Sequence, residues 1–280
     1  MTQPDMMLFK TADSAIVRRN EDFFALDQDW DELVNTDALY ELLHRVCESR
    51  PGDPSLADAV REPLAPIGSQ EVWGAGVTYA RSRTARMEES RASGGDDFYD
   101  RVYDAERPEI FFKATSDRVV GPGQALHLRR DSGWIVPEPE LVLSITRNAA
   151  INGYTIGNDL SCRDIEGENP LYLPQAKTFD RCAGIGPGIL VRNRPLDATT
   201  AIRLHILRGT DTVVEDATTI AQLKRSFSEL VGYLFRDNHH RNGCLFMTGT
   251  GIVPDDVTLE SGDVVRISID GIGTLENPMD

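Results

Sequence analysis

Residues 137–145 read PEPELVLSI, and residues 153–164 read GYTIGNDLSCRD. The first stretch places Glu138 and Glu140 two positions apart at the start of an apolar run, and the second carries Asp159 at the end of a Gly-containing apolar piece. In a β-strand, residues i and i+2 point to the same face, with Cα atoms roughly 6.5–7 Å apart. The sequence therefore predicts a strand that directs two glutamates at one spot.

Two carboxylates on one face repel each other unless one takes a proton or a cation lies between them. A solvated strand face is the alternative for an isolated Glu-x-Glu pair. Asp159, followed closely by Arg163 and Asp164, adds a third oxygen ligand. Three carboxylates with open coordination positions suit Mg²⁺ or Mn²⁺ rather than Zn²⁺, which prefers nitrogen and sulfur. We expect Glu138, Glu140 and Asp159 to hold one such cation.

The composition is that of a globular protein, with 40% hydrophobic and 26% charged residues over 280 positions. The net charge of −16 makes nucleic acid and anionic membranes poor partners. The chain has no apolar stretch near the ~18 residues that span a bilayer, and its opening MTQPDMMLFK lacks the pattern of a signal peptide. A soluble protein of the cytoplasm is the expectation.

Lysine is rare: the chain has Lys10, Lys113, Lys177 and Lys224 against 25 arginines, and Asp outnumbers Glu. Such a surface is typical of a salt-adapted, halophilic protein, although a GC-rich genome would also favour Arg over Lys. The four cysteines are widely spaced without a CxxC pair, which favours reduced thiols over a zinc site.

Two units are predicted, a small N-terminal domain over residues 1–68 and a catalytic domain over residues 69–280. In the first, Asp37 is a candidate cap for a helix with apolar residues at helical spacing. In the second, the polar stretch 81–107, which includes SGGDD, is a candidate mobile lid.

The centre and the tail of the chain favour a β-rich α+β fold. Short strands broken by turns run between residues 110 and 143. Residues 218–240 predict one long amphipathic helix, with Thr218 or Thr219 as its cap and His239 and His240 at a solvated end. The alternating tail 257–275 predicts two strands of the main sheet.

Several segments occur together in an order that resembles the fumarylacetoacetate hydrolase superfamily, over about residues 70–275. They are VWGAGVTYA (72–80), PEIFFKATSDRVVGPG (108–123), EPELVLSI (138–145), GYTIGNDLSCRD (153–164), QAKTFD (175–180), GIGPGI (184–189), MTGTGIVP (247–254) and SGDVVRISIDGIG (261–273). The insertion IEGENPLYLPQAK (165–177) is similar to the branch that dehydrates 2-keto-3-deoxy sugar acids.

The resemblance implies a catalytic domain of rolled, mixed β-sheet, preceded by a small α/β domain, that assembles as a homodimer or homotetramer. It also implies Mg²⁺ or Mn²⁺ on Glu138, Glu140 and Asp159, and a small 2-keto acid as substrate. The family lysine falls on Lys177, and the threonine of the family's Gly-Thr turn falls on Thr250.

The resemblance fails at one place. Hydrolases of this family carry a His and a Glu that activate water after an Asn-Tyr pair, whereas residues 78–82 here read TYARS, and no histidine occurs between His44 and His127. A lyase needs no incoming water. We therefore predict metal-dependent dehydration of a 2-keto-3-deoxy pentonate to 2-oxoglutarate semialdehyde in sugar-acid catabolism.

For this reaction Lys177 is the predicted base at C3, because a lysine beside a cation in a desolvated pocket can be neutral. Glu109 is the predicted acid for the C4 hydroxyl, with Glu106 in reserve. The predicted substrate contacts are Tyr79, Lys113, Arg163 and Thr250, although Arg163 alternatively braces Asp164, and Thr250 alternatively serves only its turn.

Two other interpretations of the function stay open. The first is a different reaction on the same metal site, either hydrolysis of an acylpyruvate or decarboxylation or isomerisation of a 2-keto diacid. The second is a sugar-acid-binding or scaffold protein with a degenerate site, which the presence of Lys177 and three carboxylates disfavours.

Overall fold

The structure, a computed structural model, describes residues 4–90, 96–254 and 257–280. The strands are β1 (Met6–Lys10), β2 (Ala15–Arg19), β3 (Asp22–Leu26), β4 (Glu71–Gly76), β5 (Glu109–Ala114), β6 (Val119–Val120), β7 (Ile135–Val136), β8 (Pro139–Ile145), β9 (Ile151–Asp159), β10 (Ser161–Cys162), β11 (Ala183–Val191), β12 (Ala201–Arg208), β13 (Asp211–Thr219), β14 (Cys244–Met247), β15 (Val264–Ile269) and β16 (Gly273–Pro278). The α-helices are α1 (Trp30–Val34), α2 (Leu39–Ser49), α3 (Ala80–Ser90), α4 (Asp96–Asp104), α5 (Arg163–Glu168), α6 (Leu173–Lys177) and α7 (Phe227–Leu234).

One large mixed sheet organises the described part of the chain, in the order β3-β2-β1-β11-β9-β8-β14-β4-β5, with β6 paired to β11. Most neighbours are antiparallel, but β14 runs parallel to β4 and β6 parallel to β11. A second sheet, β13-β12-β15-β16, packs against the first through a shared core that includes Ile156 of β9, Ile202, Leu204 and Ile206 of β12, and Ile267 of β15. The β-rich α+β prediction is confirmed.

The β8–β9 hairpin is the element that positions the acidic residues. Its register pairs Pro139 with Asn158 and Glu140 with Gly157, and the Asp159 amide donates to the Glu138 carbonyl at 3.0 Å. Position 157 needs glycine, because a Cβ there would lie 2.6 Å from a methyl group of the neighbouring strand β8. The two acidic stretches PEPELVLSI and GYTIGNDLSCRD therefore lie on adjacent antiparallel strands.

The first three strands extend the large sheet, since β1 pairs antiparallel with β11. Helices α1 and α2 cover these strands with a core of their own, to which Leu8, Val17, Leu39 and Leu43 contribute. Strands from both sides of residue 68 belong to this one sheet, so the predicted domain boundary near residue 68 stays a prediction.

The predicted lid segment 81–107 forms most of α3 and α4. The SGGDD motif lies mostly outside the described residues, so the mobility of this segment stays a prediction. None of the described helices is long and apolar enough to cross a lipid bilayer.

Three local predictions were wrong. Thr218 and Thr219 end strand β13 instead of starting a helix. Helix α7 begins later, at Phe227, where the Ser226 side chain accepts a hydrogen bond from the Glu229 amide as the cap. The tail strands β15 and β16 belong to the second sheet and not to the main one. Asp37 accepts hydrogen bonds from the 146–148 turn instead of capping α2.

The prediction for the two adjacent histidines was half wrong. His239 is exposed, but His240 is buried, with its ring edge-on to Trp73 and Phe235. Burial lowers the pKa of His240, although Glu71 lies 3.5 Å from its Nδ1 atom. His240 is therefore a packed side chain and not part of a solvated helix end.

Candidate active site

Three buried carboxylates meet where the β8–β9 hairpin ends. Glu138 directly precedes β8, Glu140 lies within it, and Asp159 closes β9. One carboxylate oxygen from each residue lies within 4.8 Å of the other two. The structure thus brings together the three predicted metal ligands, as the strand register requires.

The two glutamates differ in their charge environments. Burial opposes ionisation of Glu138, but the nearby cations Lys177, Arg163 and Arg86 outweigh it and hold the pKa of Glu138 well below its usual range. Burial and the charges of Asp159 and Glu138 raise the pKa of Glu140 well above its usual range. A cation bound at this point would therefore favour the ionised form of Glu140 more than that of Glu138.

A tight turn after β14 contacts the Glu140 carboxylate. The Gly249 amide donates to Glu140 Oε2 at 2.6 Å. Gly249 has a φ of +94°, and a Cβ there would lie 1.9 Å from the Thr78 hydroxyl oxygen. Only glycine fits both the backbone angle and the close approach.

Lys177 contacts two of the three carboxylates. Its Nζ atom lies 2.7 Å from Glu138 Oε2, 2.9 Å from Asp159 Oδ2 and 2.6 Å from Ser161 Oγ. The Phe111 ring centre lies 5.4 Å from the same atom. The amine is buried and held at a fixed point beside two of the predicted ligands.

Lys113 is enclosed by protein oxygens. Its Nζ atom lies 2.6 Å from Asp159 Oδ1 and donates to the carbonyls of Leu160 at 2.8 Å and Lys177 at 2.5 Å. These bonds fix Asp159 and the end of α6 relative to each other. They favour a positioning role, and a direct contact of Lys113 with substrate stays a prediction.

Arg163 braces a predicted ligand. Its Nη2 atom lies 2.7 Å from Glu138 Oε1, and its Nη1 atom lies 3.8 Å from Glu166. Arg86 of α3 forms ion pairs with the same two glutamates. Asp164 accepts hydrogen bonds from a neighbouring turn, and the alternative that Arg163 braces Asp164 stays a prediction.

A cavity of about 540 Å³ opens beside this cluster. Glu109 lies at its wall and is half-buried, and a Cβ on the opposite Gly76 would lie 2.0 Å from Glu109 Oε2. Burial is the main cause that raises the pKa of Glu109, while Arg86 and Lys177 oppose it. The reserve candidate Glu106 is exposed and accepts a hydrogen bond from Tyr233, away from the cavity lining.

The model of the C-terminal domain of fumarylacetoacetate hydrolase matches residues 72–280, which include the three carboxylates and Lys177. The chain belongs to this family. The matched span begins within β4, so the first three strands and the helices α1 and α2 precede it.

Two relatives carry dehydratase names. The chain is 48% identical over 219 residues to a probable 2-keto-3-deoxyxylonate dehydratase of Haloferax volcanii, covering 78% of this chain and 74% of the relative. It is 44% identical over 217 residues to 2-dehydro-3-deoxy-D-arabinonate dehydratase of Saccharolobus solfataricus, covering 76% of this chain and 73% of the relative.

A solved structure of 2-keto-3-deoxy-D-arabinonate dehydratase, complexed with magnesium and 2,5-dioxopentanoate, superposes with a TM-score of 0.80. It is 34% identical and covers 99% of this chain and 98% of its own. This family member therefore shares its whole architecture with a magnesium-containing dehydratase.

Two predicted substrate contacts, Tyr79 and Thr250, are buried. Tyr79 is 2% exposed, and burial together with the charge of Glu140 raises its pKa. The Thr250 hydroxyl donates to the Ile252 carbonyl at 3.0 Å and accepts from the Ile252 amide. These bonds favour the turn alternative for Thr250, and contact of either residue with substrate stays a prediction.

Sequence reasoning missed Ser161, Glu166 and Arg86. Glu166 follows Arg163 by three residues, which is the spacing of an ion pair on a helix, and this signal was present. Arg86 had no signal, because its approach depends on how α3 packs over the sheet.

Proposed function

We propose that the protein is a magnesium-dependent hydro-lyase that dehydrates a 2-keto-3-deoxy pentonate to 2,5-dioxopentanoate, which is 2-oxoglutarate semialdehyde. The observation that carries the proposal is the buried triad of Glu138, Glu140 and Asp159, with Lys177 beside it and Glu109 at the wall of an adjoining cavity. The dehydratase relatives and the magnesium-containing neighbour support the same reaction.

The donor set fits a hard divalent cation. All three side chains offer carboxylate oxygens within 4.8 Å of one another, and no sulfur or imidazole ligand stands with them in the described residues. The repulsion that raises the pKa of Glu140 would be relieved by a cation at this point. When bound, Mg²⁺ would polarise the 2-keto group and make the C3 protons more acidic.

Lys177 is proposed as the base that takes a proton from C3. Its amine is held by Glu138, Asp159 and Ser161, so it is fixed in place before substrate arrives. Such preorganisation saves the entropy of positioning a mobile lysine at the moment of reaction.

Glu109 is proposed as the acid that protonates the C4 hydroxyl, which leaves as water while the C3–C4 double bond forms. Burial raises the pKa of Glu109 and thereby favours the protonated form that an acid needs. The resulting carboxylate can take a proton from C5, and Lys177 can return its proton to C3. Both residues then regain their starting protonation states, and the enol left at C4 and C5 tautomerises to the aldehyde.

The segment that follows β4 supports a lyase over a hydrolase. Ser82 occurs in the stretch where the resemblance places a water-activating histidine, and its hydroxyl donates to the Tyr79 carbonyl at 2.8 Å. A serine hydroxyl that donates to a backbone carbonyl offers no base for water. An acylpyruvate hydrolase is the second candidate, because the metal site alone suits either reaction.

Replacement of Glu109 by Gln should lower kcat by about 10²–10⁴-fold, because an amide has no proton to give. Wild-type activity should fall as pH rises through the raised pKa of Glu109, since only the protonated form is the acid. A pH profile of kcat for both proteins tests this. An alkaline limb that persists unchanged in the variant would assign it to another group.

The reaction itself is tested by incubating the protein with a 2-keto-3-deoxy pentonate and, separately, with an acylpyruvate, each with Mg²⁺ and with a chelator. We expect 2,5-dioxopentanoate from the pentonate only when Mg²⁺ is present. Cleavage of the acylpyruvate without any dehydration would establish the hydrolase instead, and no turnover of either compound would favour a binding protein.

We further propose a homodimer or homotetramer, a cytoplasmic location and a salt-adapted surface. The oligomer is supported by the resemblance, which implies that members of the family assemble as dimers or larger oligomers. The salt-adapted surface is supported by the net charge of −16 with only four lysines. Light scattering at low and high salt tests the assembly and its dependence on ions.

A further inference from the structure

The cavity beyond Glu109 has two walls of different origin. One wall comes from α4 and carries Tyr99 and Val102. The other comes from the 165–177 insertion and carries Asn169, Pro170 and Leu171. The insertion therefore supplies three of the six described residues that line the space next to the proposed acid.

Among the described residues, the lining side chains of this space are half polar and half apolar, and the polar ones are Tyr99, Glu109 and Asn169. Among the lining residues, Val102, Pro170 and Leu171 have apolar side chains, and Leu171 is 82% exposed at the rim. Tyr99 lies beside the Arg86 guanidinium, which is 6.0 Å from its ring centre, and this contact holds it on the α3 side. Asn169 is thus the neutral polar side chain on the insertion wall.

The amide of Asn169 is fixed in orientation. Its Oδ1 atom accepts a hydrogen bond from the Leu171 amide at 3.0 Å, at the start of the short helix Pro170–Tyr172. Within the described residues its NH₂ group donates no hydrogen bond. A half-buried amide that is held by its oxygen presents a preorganised donor.

The proposed reaction defines which substrate group comes next in this space. If the 2-keto acid end lies at the carboxylate triad and the C4 oxygen lies at Glu109, then C5 extends past Glu109 into the cavity. A pentonate carries a hydroxyl on C5, and this hydroxyl is the polar group that remains to be bound.

We propose that Asn169 binds the C5 hydroxyl of the substrate and makes the enzyme selective for 2-keto-3-deoxy pentonates over their 5-deoxy analogues. This inference rests on the proposed function and adds a specificity-determining residue to it. An analogue without the hydroxyl leaves the amide donor without this partner, so the enzyme should process the analogue less efficiently.

The test compares two substrates on the whole protein with Mg²⁺, a 2-keto-3-deoxy pentonate and 4-hydroxy-2-oxopentanoate, which lacks only the C5 hydroxyl. The variant is Asn169→Ser, because serine keeps a capping oxygen but is too short to reach the cavity. Mass spectrometry of water loss gives kcat/KM for both compounds. We expect the preference for the pentonate to fall about tenfold or more in the variant, with kcat/KM for the analogue nearly unchanged.

The preference is kcat/KM for the pentonate divided by kcat/KM for the analogue. The two compounds differ in intrinsic reactivity, but this difference cancels when the preference of the variant is compared with that of the wild type. Tyr99→Phe is the matched control and should keep the wild-type preference. Three results would overturn the role of Asn169. They are an unchanged preference in Asn169→Ser, an equal loss of kcat/KM for both compounds in that variant, or the same fall in preference in Tyr99→Phe. No dehydration of either compound by the wild type would instead overturn the proposed function.

Discussion

Replacement of Lys177 by Met should lower kcat by at least about 10²-fold and up to about 10⁴-fold, the range that one general base contributes. Methionine keeps the unbranched shape of the side chain but removes the amine that lies 2.7 Å from Glu138 and 2.9 Å from Asp159. Loss of the amine should leave Mg²⁺ binding intact or tighter, because a group that hydrogen-bonds to two of the proposed ligands has gone.

Steady-state kinetics and calorimetric titration with Mg²⁺ measure the two effects separately. Lys224→Met is the matched control, since Lys224 lies at the surface in an ion pair with Asp104 and should retain full activity. Activity of Lys177→Met within tenfold of wild type would contradict the role of Lys177 as base. Loss of both Mg²⁺ binding and activity would show that Lys177 positions the carboxylates and would not support its role as base.

Replacement of Glu140 by Gln should weaken Mg²⁺ binding by more than about 100-fold, because even the loss of an outer partner of a metal ligand typically costs 10–100-fold. Activity at moderate Mg²⁺ should fall with it. Gln keeps an oxygen that can accept from the Gly249 amide, so the turn after β14 need not rearrange.

The same substitution should stabilise the metal-free protein at neutral pH. Burial and the charges of Asp159 and Glu138 raise the pKa of Glu140, so its ionisation opposes folding. This cost is absent below the pKa of the unfolded chain, about 4.3, and grows as pH rises above it. The amide does not ionise, so the advantage of the variant should grow over the same pH range.

Thermal melting at several pH values measures both effects. Melting with a chelator gives the stability of the metal-free protein, and melting with Mg²⁺ gives the stabilisation by the metal. We expect Glu140→Gln to melt higher than wild type without metal and to gain little from Mg²⁺. The exposed Glu62→Gln is the control and should behave as wild type in both conditions. A variant that still gains the full stabilisation by Mg²⁺ would remove Glu140 from the ligand set.

The carboxylate triad was predictable because it depends on short-range rules. The two-residue period of a strand aligns Glu138 with Glu140, and the turn at residues 146–150 brings β9 back antiparallel, so that Asp159 lies opposite Glu138. The resemblance supplied Lys177, whose side chain arrives from α6, a separate element.

The parts that were missed depend on long-range packing. Thr218 and Thr219 were expected to start a helix, but pairing with β12 recruits them into β13, and β-branched residues fit that partner. The alternating tail predicted strands correctly but could not say which sheet they join. Arg86 was likewise out of reach, since nothing in α3 itself specifies that it meets Glu166.

Diffraction from crystals that contain Mn²⁺, with the anomalous signal of manganese, tests the central claim most directly. We expect one strong peak with an oxygen each of Glu138, Glu140 and Asp159 at roughly 2.0–2.3 Å, the range of hard-cation–oxygen contacts. A peak that lacks any of these three side chains, or no peak at this point in an enzyme that is active with Mn²⁺, would contradict the proposed metal site.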